Sequence, residues 1–190
     1  MDLTTAIETR RSISKMKETP VDSYDLEDIL QAGCWAPTHY KTEPWRFHVF
    51  QGESRQILAD IFAVGVKEKF ADSELLETKL TKAKKAPFRA PVVIAVTCKL
   101  EELKQAPVWE EYSAVACAIQ NMSLQAHALG LASIWRSGMF TDFKNAEEYF
   151  NIDTTKGERI MGYFYLGYSN MAEGSVNREE PDWQAKTTFY

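Results

Sequence analysis

The stretch Pro91-Val92-Val93-Ile94-Ala95-Val96 constrains the fold more than any other part of the chain. It is continuously apolar and rich in β-branched residues, with no polar side chain to turn toward water. As a strand it must be covered on both faces, and a proline is tolerated only where it opens the strand. The chain is therefore expected to build a sheet with this run at its middle and helices packed on it. The run is far too short to be the roughly 20-residue apolar helix that crosses a bilayer.

Helical periodicity surrounds it. Asp2 can cap a short helix over Leu3 to Thr9, and Asp22 or Ser23 the next, in which Leu26, Ile29, Leu30, Gly33 and Cys34 share one face before Pro37. Trp45 to Phe50 reads as a strand, with Trp45, Phe47 and Val49 alternating against Arg46 and His48. Ser54 to Phe70 and Glu74 to Lys85 read as helices. Glu110 to Leu129 has one large apolar stripe (Tyr112, Val115, Ile119, Met122, Ala126, Leu129) and a second of small residues (Ala114, Cys117, Ala118, Asn121). A helix apolar on two sides is buried on two sides, so the small face is expected against another helix of the fold or of a second subunit. Strands at Ala132 to Ser137 and Arg159 to Tyr168 follow. Ser169 to Tyr190 is polar and aperiodic yet carries Trp183, Phe189 and Tyr190, which an arm docked on another surface would hide.

The 190 residues suit a single domain, 1–190, and 45% hydrophobic residues can fill its core. With 22 basic against 27 acidic residues the net charge is −5, which argues against nucleic acid or an anionic membrane as partner. Cys34, Cys98 and Cys117 are odd in number without a paired spacing, and no apolar signal core precedes Ser12, as expected of a reducing, cytoplasmic setting. No GxGxxG turn, phosphate-gripping lysine after a glycine loop, GxSxG elbow, HExxH or CxxC pair occurs. His39, His48 and His127 fall on different elements, so no metal site is expected. A redox or transfer reaction here needs a bound organic cofactor.

Three segments could hold one. Arg10-Arg11-Ser12 places two guanidinium groups and a hydroxyl where a helix ends; they either offset the helix's negative end or grip a phosphate bidentately. Trp135-Arg136-Ser137-Gly138 ends a strand with an aromatic plane, a cation and a glycine-freed backbone. That set suits a flat heteroaromatic ring, or the tryptophan is core and the glycine a turn former. Ala36 through Trp45 is a loop stiffened by Pro37 and Pro44 that carries His39.

In this order the segments resemble the nitroreductase family of FMN-dependent oxidoreductases, in particular its small, minimal branch. The resemblance runs the whole chain and also draws on Glu43-Pro44-Trp45-Arg46-Phe47, Ala86-Pro87-Phe88-Arg89-Ala90-Pro91 and Tyr165-Leu166-Gly167. It implies an α+β fold with a mostly antiparallel sheet flanked by helices. It also implies a homodimer with long helices at the interface, and a C-terminal arm, 169–190, exchanged with the partner. FMN would lie between the protomers. By similarity Arg10, Arg11 and Ser12 hold its phosphate and ribityl groups, Trp135, Arg136 and Ser137 line the pocket of the same subunit, and His39 and Trp35 come from the neighbouring chain. NAD(P)H would reduce the flavin at N5, and a small acceptor such as a nitroaromatic or quinone would reoxidise it by a ping-pong mechanism without a catalytic side chain.

The family's usual lysine or arginine two residues after the serine is Ser14 here, with Lys15 next, so Arg136 or Lys15 is left to face reduced flavin; Trp35 stands where relatives present an arginine. Basic tail residues reach the phosphate in larger relatives, which leaves the role of Arg178 in the tail open. Two other readings stay open: a flavin-binding sensor or carrier without turnover, and a dehalogenating or flavin-fragmenting relative, for which Phe62 to Lys85 is the segment that could form a lid.

Overall fold

A computed structural model describes residues 1–101, 106–172 and 175–190. The helices are α1 (Leu3–Thr9), α2 (Ser23–Cys34), α3 (Arg55–Lys69), α4 (Leu76–Lys85), α5 (Val108–Ala128) and α6 (Lys144–Tyr149). The strands are β1 (Trp45–Gln51), β2 (Val92–Cys98), β3 (Ala132–Arg136) and β4 (Arg159–Gly167), arranged as a four-stranded sheet in the order β1-β2-β4-β3 with every neighbour antiparallel.

Every residue of β2 is buried, as its composition requires. The pleat sends Val92, Ile94 and Val96 to a core shared with Leu26 and Ile29 of α2 and Val115, Ile119 and Met122 of α5. It sends Val93 and Ala95 to a second core shared with Phe62 and Val66 of α3, Leu80 of α4 and Ala146 of α6. The fold is thus α+β in three layers. Of the small-residue face of α5, Ala114 and Ala118 are buried in the core shared with α2 and Asn121 Nδ2 donates to Ala32 O at 3.2 Å, whereas Cys117 is exposed rather than packed on a helix of the chain.

Some sequence expectations are corrected here. α2 stops at Cys34 because the Trp35 N–H turns back to Ala32 O, which leaves Cys34 exposed rather than on the buried face. β1 is two-faced: Trp45 joins the α2/α5 core and Phe50 the other, so the strand is packed on both sides. The segment from Phe62 to Lys85 is no lid, since Phe62, Val66, Leu80 and Ala83 are buried in the second core. The tail aromatics are exposed in the single chain, Trp183 to 60% and Phe189 to 82%, so nothing within the described protomer receives them.

Burial, reinforced by Glu111 and Glu158, pushes the Cys98 thiol up to about 12. Because the thiolate is the reactive form, a thiol reagent at pH 8 is expected to modify Cys98 only after denaturation, while exposed Cys34 reacts in the folded chain. Equal labelling rates, read by peptide mass spectrometry, would contradict this packing.

Candidate functional site

α1 sets the site's first edge. Asp2 caps it, its Oδ1 accepting the Thr5 N–H at 3.0 Å, and the helix ends when Arg10 turns extended (φ −59°, ψ 135°). The chain then runs along the free edge of β3: the Ile13 N–H donates to Ser133 O at 3.0 Å, and Ser12 and Ser133 form a parallel bridge. In a parallel pairing Arg10 lies toward the start of β3, and Ser14 toward Trp135. Farther on, Lys17 N donates to Tyr168 O and Asn170 N to Lys15 O, tying the segment to the root of the tail.

Between α1, the end of α5, the start of β3 and the tail opens a cavity of about 720 Å³, bordered by Thr9, Arg10, Arg11, His127, Ser133 and Asn177 among others. Its size lies within the range of small-molecule sites, about 300–1,000 Å³. Its charge is one-sided. Among the described residues no carboxylate lies within ion-pair distance of Arg10, Arg11 or Arg178. Burial, then the neighbouring charges of Arg178 and Arg11, lower the pKa of Arg10, yet a guanidinium stays charged. Its Nε is buried without a hydrogen-bond partner. A buried donor on a cation among like charges is costly unless an anion completes it.

The two arginines of the motif have different work. Arg11 Nη1 donates to Glu8 O at 2.6 Å and to Arg10 O at 3.0 Å, and its Nε to Val176 O at 3.1 Å. Arg11 thus caps the helix end and straps the tail, while the Arg10 guanidinium, near Arg178, has no hydrogen bond among the described residues.

His127 and Thr9 were not among the residues singled out in the sequence. The Thr9 hydroxyl gives its one proton to Thr5 O at 2.6 Å, so at the 2.7 Å contact with His127 Nε2 the imidazole donates. Burial, then Arg10 and Arg11, lower the pKa of His127, which keeps it neutral near pH 7. The contact spans 118 positions of sequence, and neither residue has a local signal beyond its place near a helix end.

Trp135, Arg136 and Ser137 lie farther along β3, outside the lining of this cavity. The indole Nε1 of Trp135 donates to Met161 O at 3.0 Å, the Arg136 guanidinium sits 5.9 Å from the centre of the Tyr165 ring, and Ser137 is exposed at the strand's end. Trp35, 79% exposed at the end of α2, and His39 do not border the cavity either. His39 is bound to Glu110 in the first turn of α5, whereas His127 is in its last; seventeen residues of helix separate them, roughly 25 Å.

The loop bearing His39 is fastened to α5. Thr42 Oγ1 donates to the buried Glu111 Oε2 at 2.7 Å, Thr38 Oγ1 to Thr42 Oγ1 at 2.7 Å, and the Glu43 N–H to Thr38 Oγ1 at 3.2 Å. Tyr40, Lys41 and Glu43 all have positive φ, 52°, 53° and 46°. Among the described residues no group of three or more acidic, histidine or cysteine side chains could hold a metal, and no helix is long and apolar enough to cross a membrane.

Residues 7–168 match the model of the nitroreductase family. An Escherichia coli (strain K12) protein named "Putative NAD(P)H nitroreductase YdjA" is 35% identical over 182 residues, covering 95% of this chain and 96% of the relative. Among solved structures, a nitroreductase-like family protein from Bacillus cereus superposes with a TM-score of 0.84 at 23% identity, covering 100% of this chain and 96% of the other. A nitroreductase with bound FMN from Bacteroides fragilis gives 0.73 at 27%, covering 100% and 99%.

Proposed function

Because the chain belongs to the nitroreductase family, we propose that it is an FMN-dependent oxidoreductase carrying reducing equivalents from NAD(P)H to small acceptors such as nitroaromatics or quinones. The observation that carries this reading is the buried, unpartnered Nε of Arg10 beside Arg11 and Arg178, none of which has a carboxylate within ion-pair distance among the described residues. That donor set suits a phosphate monoester: Arg10 and Arg178 offer guanidinium forks to its oxygens, and the cavity has room for the ribityl chain. FMN, when bound there, would supply two-electron hydride chemistry between NAD(P)H and the acceptor.

The residues of the chain bind and orient. Ser12, fixed against Ser133, carries the site from the phosphate end along β3. Trp135 supplies a flat wall and Ser137 a hydroxyl at the strand's end. Arg136 projects from the other face of β3, toward Tyr165; with Ser14 unable to supply charge, Arg136 or Lys15 is left to stabilise negative charge in the reduced ring.

The distance along α5 supports a homodimer. His39 cannot reach the Arg10 cavity of its own chain, but a two-fold copy with its α5 antiparallel would bring it there; Trp35, exposed at the end of α2, would approach from the same copy. The exposed face of α5, with Trp109, Ser113, Cys117 and Gln120, is free for that contact. Exposed Trp183, Phe189 and Tyr190 favour an arm, 169–190, that crosses to the partner, since each large apolar group left in water forgoes about 1.5–3 kcal/mol.

Anaerobic addition of NADPH or NADH to FMN-loaded protein is expected to bleach the flavin absorption, and a quinone to restore it. Failure to take up FMN overturns the reading. Uptake without bleaching supports a flavin carrier instead. The flavin-fragmenting alternative loses its basis with the packing of Phe62 and Leu80 into the core.

A further inference from the structure

The bond between His39 and Glu110 goes beyond the flavin contact given to His39 above. Glu110 Oε2 lies 2.6 Å from His39 Nδ1, and an ionised carboxylate only accepts, so the imidazole carries a proton on Nδ1 and leaves Nε2 free. The opposite side of the assembly is equally fixed: the ring stacks on Tyr40 with centroids 3.9 Å apart and planes 14° from parallel. Half of the His39 side chain, 48%, stays open to solvent. The turn that presents it holds Tyr40, Lys41 and Glu43 in the left-handed region, each unfavourable for a residue with a Cβ, and the Thr38–Thr42–Glu111 chain keeps it there. A solvent-facing imidazole needs none of this to be stable. Strain concentrated on presenting one ring nitrogen is characteristic of a group that does chemistry.

We propose that His39, with Glu110 as its positioning residue, donates the proton that a quinone-like acceptor takes up when it is reduced in the site of the partner subunit. This rests on the oxidoreductase reading above. A quinone becomes a hydroquinone by gaining one hydride, which brings both electrons and comes ultimately from NAD(P)H, and one proton on oxygen. Nε2, unprotonated in the resting ring, first takes a proton from solvent; that Nε2–H bond then breaks as the new O–H bond forms, while Nδ1 keeps its proton toward Glu110. Glu110 does for His39 what an orienting carboxylate does for any histidine acid: it fixes which nitrogen exchanges.

The test compares two oxidants of the anaerobically reduced protein: a quinone, which needs a proton, and ferricyanide, which takes electrons alone. The ratio of the two reoxidation rates is expected to fall about 100-fold in His39→Gln, the low end of what general acids contribute, and about tenfold in Glu110→Leu. Glu110→Gln, which keeps an acceptor oxygen, should recover most of the ratio. Independently of turnover, ¹⁵N NMR of the FMN-free protein should show His39 with its proton on Nδ1, shifting toward the Nε2–H form in Glu110→Leu. An unchanged ratio in His39→Gln, or quinone and ferricyanide slowed alike, overturns the proposal while leaving the oxidoreductase reading intact. Wild-type protein that neither binds FMN nor bleaches with NAD(P)H overturns both.

Discussion

Arg10→Ala is expected to weaken FMN binding by about 1.5–3 kcal/mol, a rise of roughly 10- to 150-fold in Kd, because a charge-assisted hydrogen bond to the phosphate is lost. A flavin-fluorescence titration measures it, and riboflavin, which lacks the phosphate, gives it meaning. If Arg10 holds the phosphate, the variant loses the preference for FMN over riboflavin and binds riboflavin as the wild type does. Equal loss for both ligands would place Arg10 elsewhere. The same change should not destabilise the ligand-free chain, since it removes a cation that burial, Arg178 and Arg11 all disfavour. A site that is electrostatically uncomfortable when empty and relieved when filled is what anion binding requires. Arg11→Ala is the contrasting case: its lost contacts are Glu8 O and Val176 O, so its main effect should be a tail that proteases cut sooner.

The layers of the fold were legible because they follow from local patterns. The all-apolar run ending at Val96 could only be a doubly covered strand, and the second apolar face of α5 required the helix that α2 supplies. The three segments proposed for the site were legible as residue types, but their division of labour was not. Nothing in Arg10-Arg11-Ser12 tells which arginine spends its donors on Glu8 and Val176 and which does not, because one of those partners is 165 positions away. His127 and Glu110 were missed for the same reason, their partners lying 118 and 71 positions off. Cys34 was misplaced by a shorter-range effect: it is the last residue of α2, one step of about 100° past buried Gly33 and so at the exposed edge of the face. The change of face within β4 was hidden as well. The register skips a residue opposite Val96 and Thr97, so Ile160 and Tyr163, an odd number of positions apart, point into the same core.

That irregularity makes Gly162→Ala a substitution with a large expected cost in stability. Gly162 has φ +146°, where a side chain is strained, and a Cβ there would come within 2.3 Å of Trp135 Nε1 and 2.7 Å of Arg136 O. The indole could swing away only by giving up its bond to Met161 O, and the carbonyl belongs to the β3–β4 ladder and cannot move alone. Backbone strain and overpacking each cost about 1–3 kcal/mol, so a combined loss of roughly 2–5 kcal/mol is expected from the urea midpoint. A Trp135→Ala background separates the two parts. With the indole gone, Gly162→Ala should cost less by the share due to the ring, while the penalty from φ and from Arg136 O remains. A penalty below about 1 kcal/mol in the wild-type background would mean that the chain does not hold Trp135 against Gly162. Trp135 is also the proposed wall of the ring site, so the variant should lose riboflavin affinity as well as FMN affinity. Arg10→Ala is expected to spare riboflavin, and the two substitutions together therefore separate the phosphate end of the site from the ring end.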